Sequence, residues 1–138
     1  GGLAAFSLRL AVTKMTMPFE NAFFMGVLCN ILVTLAVLLS LSAKDVAGRF
    51  LGAWVPVMFF VVAGSSHSIA DMTYCALGLF GKTVPAAAQA AAQMGVDLTA
   101  LTWGRYFPGN MLPVTLGNLL GGLLVGAGAW CCHLRRAK

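Results

Sequence analysis

Charge is the scarcest thing in this sequence. Only 9% of its 138 residues are charged, and four of them are acidic; a soluble domain carries roughly a quarter. With 59% hydrophobic residues and a mean hydropathy of +0.87, that shortage argues against a soluble domain and for a membrane protein. A secretory start is also lacking. The opening GGLAAFSLRLAVTK does not begin with Met and has neither the charged start nor the cleavage pattern of a signal peptide. The chain reads as part of a longer protein targeted by its membrane spans. No C-x-x-C pair occurs among Cys29, Cys75, Cys131 and Cys132, and His133 beside the last two lacks the spacing of a zinc site. The cysteines read as small hydrophobes, and nothing calls for a metal or a cofactor. No basic stripe interleaved with aromatics appears, so the net charge of +5 does not point to nucleic acid. Its Lys and Arg residues fall outside the long apolar runs, as in the basic loops of membrane proteins.

What is there is apolar length. A membrane helix needs about 20 apolar residues. Residues 22–41, AFFMGVLCNILVTLAVLLSL, supply that without a charge, and residues 111–132 form another such run. Between them, residues 50–80 are too long for one untilted span and are interrupted by GSSHSIAD at 64–71. Irregular backbone at membrane depth persists only where protein or a watery cavity satisfies its N–H and C=O groups. The pattern therefore predicts a broken helix. One half runs over 50–63, a loop turns at Gly64 over 64–68, and a second half follows over 69–80, capped by Ser65, Ser66 or Ser68. The fold class expected is all-α, a polytopic membrane protein with three spans, the middle one broken.

Lys44 and Arg49 follow the first span, and Arg135, Arg136 and Lys138 follow the third. These ends share a basic side, assigned to the cytoplasm together with the C-terminus. The connection over 81–110 would face outside, with a short helix in its Ala-rich middle and WGRYF at the interface. The residues up to about Pro18 would form an interfacial segment outside. Gly117, Gly121, Gly122, Gly126 and Gly128 predict close helix packing for the third span.

Several polar residues fall inside the apolar runs. Ionisable side chains at membrane depth are rare and often functional, and histidine is the side chain that ordinarily titrates around neutral pH. His67 is thus either a functional group or a histidine that only ties down the loop. Asp71 follows it by four residues and either pairs with Lys14 or stays protonated. Asn30 needs a partner, which could be His67, the broken loop or another helix; for Asn118 a packing role is expected. Phe60 is either a functional aromatic or an ordinary bundle- or lipid-facing ring.

FFMGVLCNILVTLAV, KDVAGRFLGAW, VVAGSSHSIADM and NMLPVTLGNLLGG, in that order, resemble the second half of the formate/nitrite transporter family. The resemblance covers about Leu8 to Trp130. It implies half of a six-helix fold of two inverted repeats, helices four to six, with the N-terminal half missing here. It also implies a homopentamer with one pore per protomer, in a bacterial inner membrane. On this resemblance His67 is the central pore histidine, Asn30 the neighbouring amide, Lys14 a lysine of the outer vestibule and Phe60 an aromatic of the cytoplasmic constriction. Ser66, Ser68 and Asp71 would border the same passage. Three positions depart from the family pattern: Ser66 replaces a usual Glu, Asp71 a usual Asn, and Ser65 a frequent aromatic. HSIADMTYCALGLFG lacks the proline-containing segment of the formate branch, which favours nitrite over formate or hydrosulfide. The anion would lose its charge to a proton before an apolar constriction where charge is costly. An alternative of another class is a haem- or quinone-binding anchor subunit. It would need His67 and His133 at matching depth, and their positions argue against it.

Overall fold

The computed structural model describes residues 2–134, and the side chains of residues 2–132. His133 as a ligand and Arg135, Arg136 and Lys138 as orienting charges lie outside these described residues. No strand occurs among the described residues. Helix α1 spans Gly2–Thr16, α2 Phe19–Ser42, α3 Val46–Val62, α4 Ser68–Gly81 and α5 Pro85–Gln93. A short 3₁₀ turn, Leu98–Ala100, leads to α6, Trp103–Tyr106. A π turn, Phe107–Met111, joins α6 to α7, Leu112–Ala129, so that Trp103–Cys132 is helical throughout.

Two of these helices, Phe19–Ser42 and Trp103–Cys132, are long and apolar enough to cross a membrane. Helix α3 is shorter, as half of a broken span should be. The break is present: α3 ends at Val62 and α4 begins at Ser68. The long helix starts earlier than expected. WGRYF forms its first turn, capped where Thr102 Oγ1 accepts the Arg105 N–H at 3.3 Å. Pro108 has no N–H to donate, and the ladder widens into a π turn around it. The Ala-rich middle of the connection does fold as a helix, α5.

The opening segment corrects the interfacial reading. Helix α1 packs against α4 and α5 and buries Leu8, Ala11, Lys14 and Met15. Leu8, Ala11 and Met15 join Cys75, Leu79, Ala91, Leu101 and Tyr106 in one apolar cluster. Helix α2 packs along α7 and α3. The α2–α7 crossing is tight because a Cβ on Gly117 would run into the Phe23 carbonyl, and one on Gly121 into that of Val27. Gly126 and Gly128 meet nothing within 4 Å, so the small-residue seam is shorter than the sequence suggested.

Candidate functional site at the helix break

The break is built by its own backbone. Helix α3 ends at Val62 with Ala63 as its C-cap, and Gly64 has φ +65°. The Ser65 N–H reaches back to Phe60 O at 3.1 Å and the Gly64 N–H to Val61 O at 3.1 Å. This is a Schellman closure, and glycine takes its left-handed position without strain. His67 then lies extended, φ −113° and ψ 121°, at the N-cap position of α4.

Turning the chain here exposes carbonyls and amides that must be satisfied. Two side chains from elsewhere do it. Lys14, at the last turn of α1 and 6% exposed, donates from Nζ to Gly64 O at 3.2 Å, Ser65 O at 3.3 Å and Ser66 Oγ at 3.0 Å. Those are the three protons of an ammonium. Asn118 of α7 donates to Ser66 O at 3.1 Å and accepts the Ser68 N–H at 2.9 Å. The serines therefore do not cap α4 as expected: its cap comes from Asn118, across the fold, and no side chain of its own N-cap residue serves.

Asp71, 1% exposed, places Oδ1 3.7 Å from Lys14 Nζ. Its Oδ2 accepts the Asn110 N–H at 3.1 Å, and Asn110 Nδ2 also reaches Lys14 O at 3.2 Å. The π turn thus delivers an amide onto a buried ion pair. Of the two readings of Asp71, pairing with Lys14 is the one this geometry favours. Asp71 Oδ1, Asn110 Oδ1 and Ser65 Oγ are buried without a hydrogen-bond partner among the described residues.

The His67 ring is half-buried and stacks on Phe60 at 6.2 Å between centroids, 27° between planes. It makes no side-chain hydrogen bond among the described residues. Asn30 bonds neither His67 nor the loop. Its Nδ2 donates to the backbone carbonyl of Asn118 at 2.5 Å.

The structure thus gathers Lys14, Ser66 and Asp71 into one network, puts Phe60 on His67, and ties Asn30 and Ser68 to Asn118. Two members were missed as site residues. Asn118 was read as packing and Asn110 carried no role, although both are amides at the edge of or within an apolar run.

Residues 1–131 match the family described as Formate/nitrite transporter. A probable formate transporter of Methanothermobacter thermautotrophicus is 35% identical over 135 residues, covering 97% of this chain and 43% of that protein. The nitrite transporter of Escherichia coli K12 is 37% identical over 122 residues, covering 88% and 40%. Among solved structures, a pentameric formate channel with formate bound superposes with a TM-score of 0.82 at 32% identity, covering 97% of this chain and 54% of that one. The chain spans less than half the length of these curated relatives.

Proposed function

The chain belongs to the formate/nitrite transporter family, and on that premise we propose that it forms half the wall of a membrane pore for a small monovalent anion, with protonation coupled to passage at His67. One observation carries this reading. A buried lysine and an asparagine together satisfy the backbone of a helix break, and the break presents a half-buried histidine against Phe60.

A monovalent anion is drawn toward a basic vestibule and meets apolar walls where its charge is costly. On taking a proton it becomes neutral and passes. Lys14, buried and paired with Asp71, would serve the passage by holding the break in place. His67, with no competing hydrogen bond among the described residues, is free to exchange a proton or to donate a hydrogen bond. Asn30 and Ser68 would border the passage and Phe60 would narrow it, while Ser66 and Asp71, fully buried, would support the break from behind.

Nitrite is the anion proposed first, because the segment after His67 carries no proline. Formate and hydrosulfide are the other candidates. Relatives named for formate and for nitrite stand at 35% and 37% identity, so overall identity does not rank them. The working unit proposed is a homopentamer in a bacterial inner membrane with the C-terminus cytoplasmic, acting as a conduit and not as an enzyme. Membership in a transporter family replaces the haem- or quinone-anchor alternative.

The test is anion uptake by the full-length protein in liposomes, with nitrite, formate and hydrosulfide offered separately across about pH 5 to 8. The expected result is saturable uptake that rises as the pH falls, fastest for nitrite. Uptake no greater than in empty liposomes for all three anions overturns the reading; faster formate uptake corrects only the substrate.

A further inference from the structure

Asn118 lies nearly buried at the crossing of α2 and α7, opposite the break. Its side chain makes three hydrogen bonds. Nδ2 donates to Gly26 O at 2.9 Å and to Ser66 O at 3.1 Å. Oδ1 accepts the Ser68 N–H at 2.9 Å. Ser66 O belongs to the peptide plane before His67, and the Ser68 N–H to the plane after it. One planar amide therefore holds both planes that define φ and ψ of His67. The backbone carbonyl of the same residue accepts the Asn30 amide.

Few side chains could do this. The site needs two donors and an acceptor in one plane at short reach. Aspartate offers no donors, leucine offers nothing polar, and glutamine is one methylene too long for a crossing where glycines at 117 and 121 bring the backbones together. The Gly26 bond anchors the amide to α2, so the histidine's backbone is referenced to the helix that carries Asn30.

We infer that Asn118 is a positioning residue, fixing the backbone of His67 relative to Asn30 and acting on transport through His67. This rests on reading His67 as the pore histidine, and the test separates the two claims. Asn118→Ala removes the side chain and keeps the carbonyl that Asn30 uses. Uptake per folded full-length protein is measured for Asn118→Ala in two backgrounds, wild type and His67→Asn. If Asn118 acts through His67, the loss is about tenfold or more in the first and under about twofold in the second, with a displaced pH midpoint only in the first. The same fold-loss in both backgrounds overturns the inference, since a packing role alone would persist without the histidine.

A second pair of variants covers the case in which Asn118→Ala does not fold. Ser68→Pro deletes the N–H that Asn118 accepts, at a first-turn position where proline is tolerated, after a residue already extended. Ser68→Ala deletes only the hydroxyl. Ser68→Ala serves as the reference that lacks the hydroxyl, and Ser68→Pro should displace the pH midpoint relative to it; equal midpoints of the two overturn the inference. If the parent protein moves no anion, the functional reading fails, and amide exchange at Ser68 still decides. It should quicken about tenfold in Asn118→Ala while α2 stays protected, and unchanged exchange refutes the positioning role.

Discussion

At the scale of single residues, the Lys14–Asp71 pair sets the largest energies. Both groups are nearly inaccessible, and removing one partner of a buried pair leaves an uncompensated charge. Lys14→Met also leaves Gly64 O and Ser65 O without donors. It should cost about 3–5 kcal/mol, read as unfolding of the detergent-solubilised protein. Adding Asp71→Asn to Lys14→Met should recover part of that loss by removing the stranded carboxylate; a double variant less stable than Lys14→Met alone would contradict the pairing. Lys14 and Asp71 sit beside the break that carries His67, and the His67 ring makes no hydrogen bond among the described residues. His67→Asn should therefore flatten the pH dependence of uptake between about pH 5 and 8. A pH profile that keeps its midpoint in His67→Asn assigns the titration to another group. Asp71→Asn should move the midpoint to lower pH, because it removes a negative charge near His67 and leaves the Lys14 ammonium uncompensated beside the break; an unchanged midpoint would show that His67 does not sense the pair. The pairing of Asp71 with Lys14 was legible in the sequence as one of two alternatives. The roles of Asn110 and Asn118 were not. An amide in an apolar run announces that it needs a partner, but its partners here, Asp71 and Ser66, lie 39 and 52 residues away. Only the fold says which helices face each other.

At the scale of elements, two devices shape the site: the left-handed turn at Gly64 and the close crossing of α2 with α7. Gly64→Ala meets no steric neighbour but must hold φ +65°, so it should destabilise by about 1 kcal/mol. Gly117→Ala is a different case. Its Cβ would strike the Phe23 carbonyl, which is backbone and cannot swing aside. The helices must part, at a cost of about 1–3 kcal/mol, whereas Gly126→Ala and Gly128→Ala, in open space, should be tolerated. Thermal unfolding of the four variants checks this order; equal losses at all four would refute the short seam. The elements themselves were largely readable. A charge-free run predicts α2, and a polar interruption in an overlong run predicts the break. Helix α1 was read as an interfacial segment lying outside the spans. Its burial comes from α4 and α5, later in the chain. The early start of the long helix was hidden by Pro108 and Gly109, which read as loop and are absorbed by a π turn.

At the scale of the whole molecule, the open question is what faces the break from the other side. His67 stacks on Phe60 with one face of its ring and is half-buried. Phe59, Ile69 and Phe80, from the two halves of the broken span, are all more than half exposed. An apolar surface of this kind is lipid-facing or partner-facing, and a pore wall that meets lipid on its polar side would leave Ser68 and His67 against hydrocarbon, where unpaired polar groups cost several kcal/mol. This chain covers 43% and 40% of the two curated relatives, which on the proposed reading leaves room for a second surface to close the passage. Residues 1–138 alone should therefore insert in liposomes yet give no saturable nitrite or formate uptake. Co-reconstitution with a separately expressed partner segment, corresponding to the part of the relatives that this chain does not match, should restore uptake and its pH dependence together. Saturable uptake by residues 1–138 alone would mean that these helices close a pore by themselves, through self-association, and that the half-wall reading is wrong.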